Sequence, residues 1–438
     1  MNSLKRILIL GLVLAAACST LGSSINVPVA RADVEREANP PTDDVAALVA
    51  GNTAFAFDLY HQIVKEQDGN LIFSPYSIST ALAMVYAGAR GDTAAQMAQT
   101  LHYTLPPEQL HPAFNALNRI LQPPEAENVT PIPTNEYYNP AQELTLHIAN
   151  GLWGQTGFPF EDAFLQTLTQ DYGTELNQVD FSQDVEGARQ IMRQWVEDNT
   201  GGHIKDMPPP GSITPATQLA LANAVYFKAQ WANPFSMDKT RDAPFHLEGD
   251  GDVTVPMMVN PAAEKACGRG EGYTAIQLTY GYSEKAAMMI LLPDAGQFKD
   301  FENRLDSVLF QQIHGGMSNT NSLTFNMPRF KFESDIDLLQ SLSAMGMNAP
   351  FSDGANFSGM SSNSGLHIDF AQHKATIAVD EQGTEASGVT FMLEMLLQPS
   401  LLSSCGDSVT ADRPFIFAIY DTKTGTILFL GRVMNPAA

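Results

Sequence analysis

Residues 378–399 read AVDEQGTEASGVTFMLEMLLQP, and this stretch decides how the rest of the chain is interpreted. Between residues 384 and 390 odd and even positions differ in character, as they do along a β-strand. One face is small and uncharged, with Thr384, Ala386, Gly388 and Thr390. Gly is depleted in strands, and small side chains contribute little free energy when they are buried. Such a segment can therefore join a sheet without being held there firmly. The pattern fits either a mobile strand or an ordinary polar loop.

The composition predicts a large globular protein with an acidic surface. The 438 residues can bury a large core, although length alone allows one big domain or two or three small ones. Hydrophobic residues make up 44% and charged residues 16%, which excludes a disordered chain. The net charge is −24, from 48 acidic and 24 basic side chains. Such a surface repels nucleic acids and polyanions, so we expect neither as a partner.

The N-terminus is predicted to be a secretory signal. Two basic residues precede an apolar run over residues 7–17, which is too short to span a bilayer. Two processing sites compete. The sequence ARA at 30–32 fits cleavage after a signal peptide over 1–32, whereas LAAAC at 14–18 resembles a bacterial lipoprotein box, with the signal ending at residue 17. We therefore expect a protein that is secreted and extracellular, or one anchored at the cell envelope by a lipid on Cys18.

The chain has three cysteines, Cys18, Cys267 and Cys405. Three are too few for a disulfide scaffold. If Cys18 is removed or lipidated, one pair remains. Two free thiols are favoured over a Cys267–Cys405 bridge, and the bridge stays open as the alternative.

The block EQGTEASG at 381–388 resembles the hinge of the serpin family of serine protease inhibitors. NLIFSPYSIS at 70–79 and the apolar strand LALANAVYFKAQW at 219–231 match the same family. The resemblance implies a secreted, bacterial serpin with an α+β fold of three β-sheets and about nine helices. It further implies one domain over 45–438 after a flexible lead-in over 33–44. An exposed, insertable reactive-centre loop would cover about 381–410.

The resemblance also implies roles for individual residues. The hinge would comprise Glu381, Gly383, Thr384, Glu385, Ala386, Ser387 and Gly388. Trp231, with Asn223 and Phe227, would line the breach, where the loop begins to insert. Ser74, Ser77 and His373 would form the shutter beneath the parting central strands. From the residues alone, the two serines cap a helix, and Trp231 and His373 are core side chains.

The function implied by the resemblance is suicide inhibition of a serine protease through a covalent complex. Sixteen positions after Glu381 the reactive bond falls between Leu397 and Gln398. Apolar residues at 395–397 indicate a chymotrypsin-, elastase- or subtilisin-like target, with a cysteine protease as the alternative. The stretch before Pro414 is longer than usual for the family, so the bond could also follow Leu396, Leu401 or Leu402. Glu394 lies on the same face of an extended strand as Thr384, the face that would point into the body after insertion. Its charge either reaches solvent at the rim of the sheet or slows insertion.

Two other functions compete with inhibition. A non-inhibitory serpin, acting as a carrier or chaperone, would normally carry bulky or charged residues at the small hinge positions. A penicillin-recognising serine hydrolase is the remote alternative, because Ser236–Lys239 fits S-x-x-K and Lys423–Gly425 fits K-T-G. We expect no enzyme, no catalytic residue, no cofactor and no metal, and a monomer. Arg119 is the only basic residue in the predicted helix 111–121, so activation by a heparin-type polyanion is not expected.

Overall fold

The computed structural model describes residues 27–122, 144–249, 251–261, 265–281, 285–320, 323–363, 365–384 and 405–438. Within these ranges the chain forms nine α-helices and eighteen strands. The helices are α1 Val45–Glu66, α2 Pro75–Tyr86, α3 Gly91–Thr100, α4 Pro107–Leu121, α5 Asp162–Thr167, α6 Val185–Asn199, α7 Phe298–Arg304, α8 Ser307–Gly315 and α9 Leu338–Ala344. The strands are β1 Val29–Ala30, β2 Leu71–Phe73, β3 Leu144–Gln155, β4 Leu176–Val179, β5 Leu219–Gln230, β6 Ser236–His246, β7 Asp252–Asn260, β8 Lys265–Gly270, β9 Tyr273–Tyr280, β10 Ala286–Pro293, β11 Ser318–Thr320, β12 Thr324–Pro328, β13 Phe330–Asp337, β14 Phe370–Val379, β15 Gly383–Thr384, β16 Ser408–Thr410, β17 Phe415–Asp421 and β18 Ile427–Val433.

The strands form three sheets among the described residues. Sheet A has the order β1-β4-β3-β5-β15-β14-β13, sheet B the order β11-β8-β9-β10-β17-β18-β2, and sheet C the order β16-β12-β7-β6. The predicted α+β fold, with three sheets and about nine helices, is confirmed. No helix in the described ranges is both long and apolar enough to cross a bilayer.

Sheet B and helix α2 supply much of the core. Strands β10, β17 and β18 are buried along their whole length because their sequences are almost continuously apolar. Helix α2 begins at Pro75, where the missing N–H costs nothing, and Ser74 caps it by accepting a bond from the Ser77 N–H at 3.3 Å. Eleven of its twelve residues are buried, so α2 fixes the position of the sheets around it.

The segment before α1 packs against the body in place of the expected flexible lead-in. Strand β1 pairs with β4 at the edge of sheet A. The guanidinium of Arg36 donates to the side-chain oxygens of Asn115 at 2.9 Å and Asn118 at 2.7 Å on α4. The Glu37 N–H donates to the Gln170 carbonyl at 3.0 Å. Arg36 and Glu37 therefore tie this segment to α4 and to Gln170, which composition could not reveal.

The expectation of two free thiols is wrong, because Cys267 and Cys405 form a disulfide with a Cα–Cα distance of 6.4 Å. Cys267 lies on β8, Cys405 lies three residues before β16, and neither is exposed. A pairing across 138 residues depends on how sheets B and C meet, which no local pattern encodes.

Candidate functional site

The central feature of sheet A is the seam between β5 and β14. At its closed end the two strands pair directly and in parallel, Phe370–Ala375 against Ala220–Val225. At its hinge end β15 lies between them, with Gly383 opposite Gln230 and Thr384 opposite Ala229. Thr384 also faces Val379 on the β14 side. The first hinge residues therefore already form a short strand inserted at one end of the seam.

Gly383 is required by this insertion. A Cβ at this position would lie 2.1 Å from the Ala229 carbonyl oxygen and 2.8 Å from the Gln230 Cα. Both atoms belong to backbone that is held in β5, so a side chain would push β15 out of the seam. The glycine predicted in the hinge thus has a steric reason in the fold.

Thr384 is 1% exposed and points into the body, where its hydroxyl lies 2.7 Å from the Tyr280 hydroxyl. The Tyr280 ring stacks on Trp231 with a centroid distance of 4.4 Å. The Trp231 indole N–H donates to the Asp380 carbonyl at 3.0 Å, and its backbone N–H donates to the Gln382 carbonyl at 2.9 Å. Trp231 is therefore a buried core aromatic that also holds the hinge.

The turn that leads into β15 is fixed by Glu381, whose side chain is 3% exposed. Its two carboxylate oxygens lie 2.7 and 2.8 Å from the Arg329 Nη2, and the Thr240 hydroxyl donates to it at 2.6 Å. Burial alone would raise the pKa of Glu381, but the hydrogen bonds from Thr240 and Arg329 outweigh burial and lower it. Asp380 accepts from the N–H groups of Gln382 and Gly383, and burial raises the pKa of its carboxyl.

The closed end of the seam is crossed by a buried polar network. The Ser74 N–H donates to His373 Nε2 at 3.0 Å, so the proton of the neutral ring sits on Nδ1, which donates to the Asn223 side-chain oxygen. The Asn223 amide donates to Ser77 Oγ at 2.6 Å and to Asn150 Oδ1. Ser77 Oγ donates to the same Asn150 oxygen at 2.9 Å. Burial lowers the pKa of His373 to about 3, so the ring is neutral at physiological pH.

The structure divides the predicted site residues between the two ends. Glu381, Gly383, Thr384 and Trp231 meet at the hinge end, and Phe227 packs edge-on against Tyr280 with a centroid distance of 5.2 Å. Asn223 does not lie there. It joins the closed-end network, because its register partner across the seam is His373. The predicted Glu385, Ala386, Ser387, Gly388, Leu397 and Gln398, and Cys18, lie outside the described residues.

Sequence reasoning missed four residues that complete the site: Asn150, Thr240, Tyr280 and Arg329. Tyr280 ends an apolar strand and Arg329 follows Pro328 between two strands, so neither position carries a local sign of its role. Arg329 is 52 residues from Glu381 in sequence, and Asn150 is 73 from Asn223. Only the assembled sheets bring these pairs together.

The serine hydrolase alternative lacks its structural setting. In penicillin-recognising enzymes the S-x-x-K serine begins a helix, whereas Ser236 begins strand β6. Lys423–Gly425 lies in the turn between β17 and β18, where Thr424 donates to Asp421. Within the described ranges, no group of three or more His, Cys, Asp or Glu side chains is placed to hold a metal ion.

The sequence profile of the serpin (serine protease inhibitor) family matches residues 50–436. The chain belongs to the serpin family. It is 35% identical over 389 residues to an uncharacterised serpin-like protein of Thermococcus kodakarensis, covering 89% of this chain and 86% of the relative. It is also 35% identical over 399 residues to the leukocyte elastase inhibitor of Bos taurus, covering 89% and 99%.

Solved serpin structures share the fold described above. Thyroxine-binding globulin in complex with thyroxine superposes with a TM-score of 0.76 at 30% identity, covering 89% of this chain and 99% of that one. The two relatives named above come from an archaeon and a mammal, so a bacterial source for this serpin stays an expectation.

Proposed function

We propose that this serpin is a suicide inhibitor of serine-type endopeptidases that inserts its cleaved loop into sheet A. The observation that carries the proposal is β15, which already occupies the hinge end of the seam as an antiparallel strand between β5 and β14. A strand that starts inside the seam needs only to lengthen in order to fill it. The likeness to a leukocyte elastase inhibitor supports the same activity.

The register of β15 defines how far the insertion runs. Thr384 faces Ala229 and the strands are antiparallel, so each further loop residue would face one residue earlier on β5. Residue 394 would then face Leu219, where β5 begins. Residues 386, 388 and 390 share the inward face of Thr384, and all are small and uncharged. Glu394 shares that parity and would face the fully buried Leu219 at the start of β5, where its charge would either reach solvent at the rim of the sheet or slow the last step of insertion.

Insertion supplies the free energy for the trap. Ten residues beyond Thr384 join the centre of the sheet, and at about 1 kcal/mol net for each ladder hydrogen bond they contribute on the order of 10 kcal/mol. The β5–β14 pairing and the Asn223–His373 network at the closed end oppose this gain until they are opened. The native fold therefore does not realise this free energy of insertion until the loop is cut.

The chemical step uses the target enzyme's own machinery. The protease serine oxygen attacks the Leu397 carbonyl carbon, and its proton passes to the protease's general base. The bond to Gln398 breaks, the amine leaves with that proton, and an ester joins Leu397 to the serine. Insertion then carries the ester past residue 394, about 33 Å along the sheet at 3.3 Å per residue. Distortion of the displaced protease prevents water from completing hydrolysis.

The test is incubation of the protein with chymotrypsin, pancreatic elastase and subtilisin in turn. We expect a complex that survives SDS and that, after reduction of the Cys267–Cys405 disulfide, has the mass of the protease plus the serpin residues up to the reactive bond. The C-terminal peptide stays attached through the Cys267–Cys405 disulfide, so it is released by reduction, and its mass then assigns the bond to Leu397–Gln398 or to a neighbouring leucine. Clean cleavage by all three proteases without an adduct would contradict the proposal for this target class.

A carrier function is the second candidate, supported by the likeness to thyroxine-binding globulin, which was solved with bound thyroxine. The small inward residues of the hinge favour inhibition, because a carrier has no need to keep them free of bulk and charge. The same incubation separates the two, since a carrier is cleaved without forming an adduct.

We propose further that the mature protein is exported and lipid-anchored through Cys18. Support comes from residues 27–32, which include β1. Pro28 accepts a bond from the Gln178 N–H at 2.8 Å, and Arg31 pairs with Glu175 at 3.0 Å. Cleavage after Ala32 would remove these contacts, whereas processing at Cys18 keeps them. The intact mass of the exported protein separates a lipidated N-terminus at Cys18 from an unmodified one at Asp33.

A further inference from the structure

We propose that the Cys267–Cys405 disulfide is the anchor that makes insertion of the loop depend on its cleavage. This role rests on the proposed insertion mechanism and concerns a question that the mechanism leaves open. Because β15 already lies in the seam, the uncut chain is also drawn towards further insertion. Something at the other end of the loop must resist it.

The disulfide lies where the chain returns from the loop to the body. Cys405 is the first described residue after the stretch 385–404, and it is bonded to Cys267 on β8 of sheet B. The Arg269 guanidinium donates to the Cys405 carbonyl at 3.0 Å and adds a second tie to β8. Both half-cystines are fully buried. The loop is therefore fastened covalently before the chain reaches sheet C.

Beyond Cys405 the chain is held by hydrogen bonds and packing, without a covalent tie. Within the described ranges, β16 has three residues and pairs with β12 alone, through Ser408, Val409 and Thr410. Three more backbone bonds hold residues 407–412: Thr324 N–H to Asp407 O at 3.0 Å, Ala411 N–H to Asn326 O at 2.8 Å and His246 N–H to Asp412 O at 2.7 Å. A three-residue edge strand can separate from its sheet at modest cost. Without the disulfide, residues 405–412 would be available as slack.

Chain length shows why this slack matters. An uncut loop inserted down to residue 394 would have to return from the closed end of sheet A to Cys405 within eleven residues, which span at most about 36–40 Å. Ten inserted residues span about 33 Å along the sheet, and the returning chain must cover that same distance back to the hinge end. Sheet C lies at the hinge end, because β12 leads through Arg329 directly into β13 beside Val379. The return would thus be fully extended, with almost nothing left to round the end of the sheet.

The anchor acts on the uncut chain alone. Once the bond after Leu397 is broken, residues 385–397 insert without pulling on Cys405. The disulfide therefore opposes self-inactivation and leaves the inhibitory reaction free. Cys267 and Cys405 are positioning residues in this scheme, because neither touches the protease.

The experiment compares the wild-type protein with Cys267→Ala/Cys405→Ala, each uncut and each nicked in the loop by thermolysin, a metalloprotease that forms no acyl-enzyme and so is not trapped. Both uncut proteins are held at a temperature well below their melting transitions. With time the uncut alanine pair should become resistant to loop cleavage by fresh thermolysin and rise in melting temperature while its intact mass stays the same. We expect this conversion to be about tenfold faster than in the uncut wild type, or more. The nicked forms should show the same gain in melting temperature with and without the disulfide. Leu48→Ala, a buried substitution in α1, is the control for general destabilisation and should not convert faster than the wild type.

Equal rates in the two uncut proteins, beside nicked forms that are stabilised, would overturn the anchor and leave the inhibitor mechanism intact. Nicked forms that gain no stability would overturn insertion itself and the anchor with it. Should the alanine pair not fold, the wild type reduced under native conditions and alkylated serves in its place. Mass spectrometry verifies that both Cys267 and Cys405 are alkylated. The conversion rate of this uncut protein is then compared with that of the uncut wild type that keeps its disulfide.

Discussion

The two ends of the seam between β5 and β14 are built from opposite kinds of contact. At the hinge end the strands are held apart by β15, and its residues are tied through Glu381, Trp231 and Tyr280. At the closed end the strands pair directly, and they are crossed by a neutral polar network in which Ser77, Asn223 and His373 are fully buried. In the proposed mechanism the first arrangement would start an insertion and the second would oppose it. A strand that inserts only on cleavage needs both.

Placing a charge at the hinge end should have the largest effect. Thr384→Arg puts a guanidinium where a 1% exposed side chain faces Tyr280, and burying an unpaired charge costs several kcal/mol. We expect the variant to be cleaved as a substrate with no SDS-stable complex. Glu385→Arg, one position on and on the other face of the strand, is the control and should still form the complex. Formation of the SDS-stable complex by Thr384→Arg at the wild-type level would contradict the role proposed for the hinge end.

Opening the closed end should have the next largest effect. Asn223→Ala removes a fully buried amide that joins Ser77, Asn150 and His373, so we expect a loss of about 2–4 kcal/mol in folding free energy. Hydrogen exchange should rise over residues 220–225 and 370–375 and stay unchanged at β15. Asn177→Ala, which removes one 3.3 Å bond to Leu152 at the edge of the same sheet, should cost less and leave the seam protected. Equal protection of residues 220–225 and 370–375 in both variants would contradict the claim that Asn223 holds the two strands together at the closed end.

The closed end should also respond to pH. Burial lowers the pKa of His373 to about 3 from an ordinary 6.5, so the unfolded chain takes up its proton at a higher pH than the folded chain. Folding stability should therefore be unaffected above pH 6.5 and fall by about 2–3 kcal/mol between pH 6.5 and 4.5. His373→Gln keeps an acceptor for Ser74 and a donor for Asn223 without this titration. The melting temperature of His373→Gln should lie below that of the wild type by a difference that shrinks as the pH falls. A difference that stays constant with pH would contradict a neutral histidine.

The ion pair at the hinge end should have the smallest effect. Glu381→Gln weakens the contact with Arg329, whose side chain is 49% exposed, so solvent screening limits the loss to about 1 kcal/mol. Hydrogen exchange over 380–384 should rise, because the turn before β15 is less firmly held. Glu333→Gln weakens the pair that this exposed carboxylate makes with the largely buried Lys374 on the neighbouring strand, and it should leave that segment unchanged.

Sequence predicted the parts of this architecture that depend on local pattern. The apolar strand over 219–231, which the structure has as Leu219–Gln230, and a helix capped at Ser74 were both visible in the local sequence. Thr384 was visible at the start of a small-residue alternation, whereas Gly383 was assigned to the hinge by the resemblance. The serpin resemblance then placed these parts in one fold, and it identified His373 and the two serines as neighbours.

What could not be predicted depends on contacts between distant strands. The Cys267–Cys405 bond, the Arg329–Glu381 pair and the Tyr280–Thr384 contact each join residues more than fifty positions apart. The packing of residues 27–44 follows from a free edge at β4 and from polar groups on α4, which composition does not reveal. The assignment of Asn223 to the hinge end failed for a similar reason, because position along β5 decides which end a side chain serves.

The central claim is that the uncut fold holds a free-energy gain that one cut releases. The direct measurement is the melting temperature of the intact protein beside that of the same protein nicked once in the loop near Leu397, with the pieces kept together. The account predicts a much higher melting temperature for the nicked form, with hydrogen exchange newly protected at residues 385–394. Equal melting temperatures would contradict it.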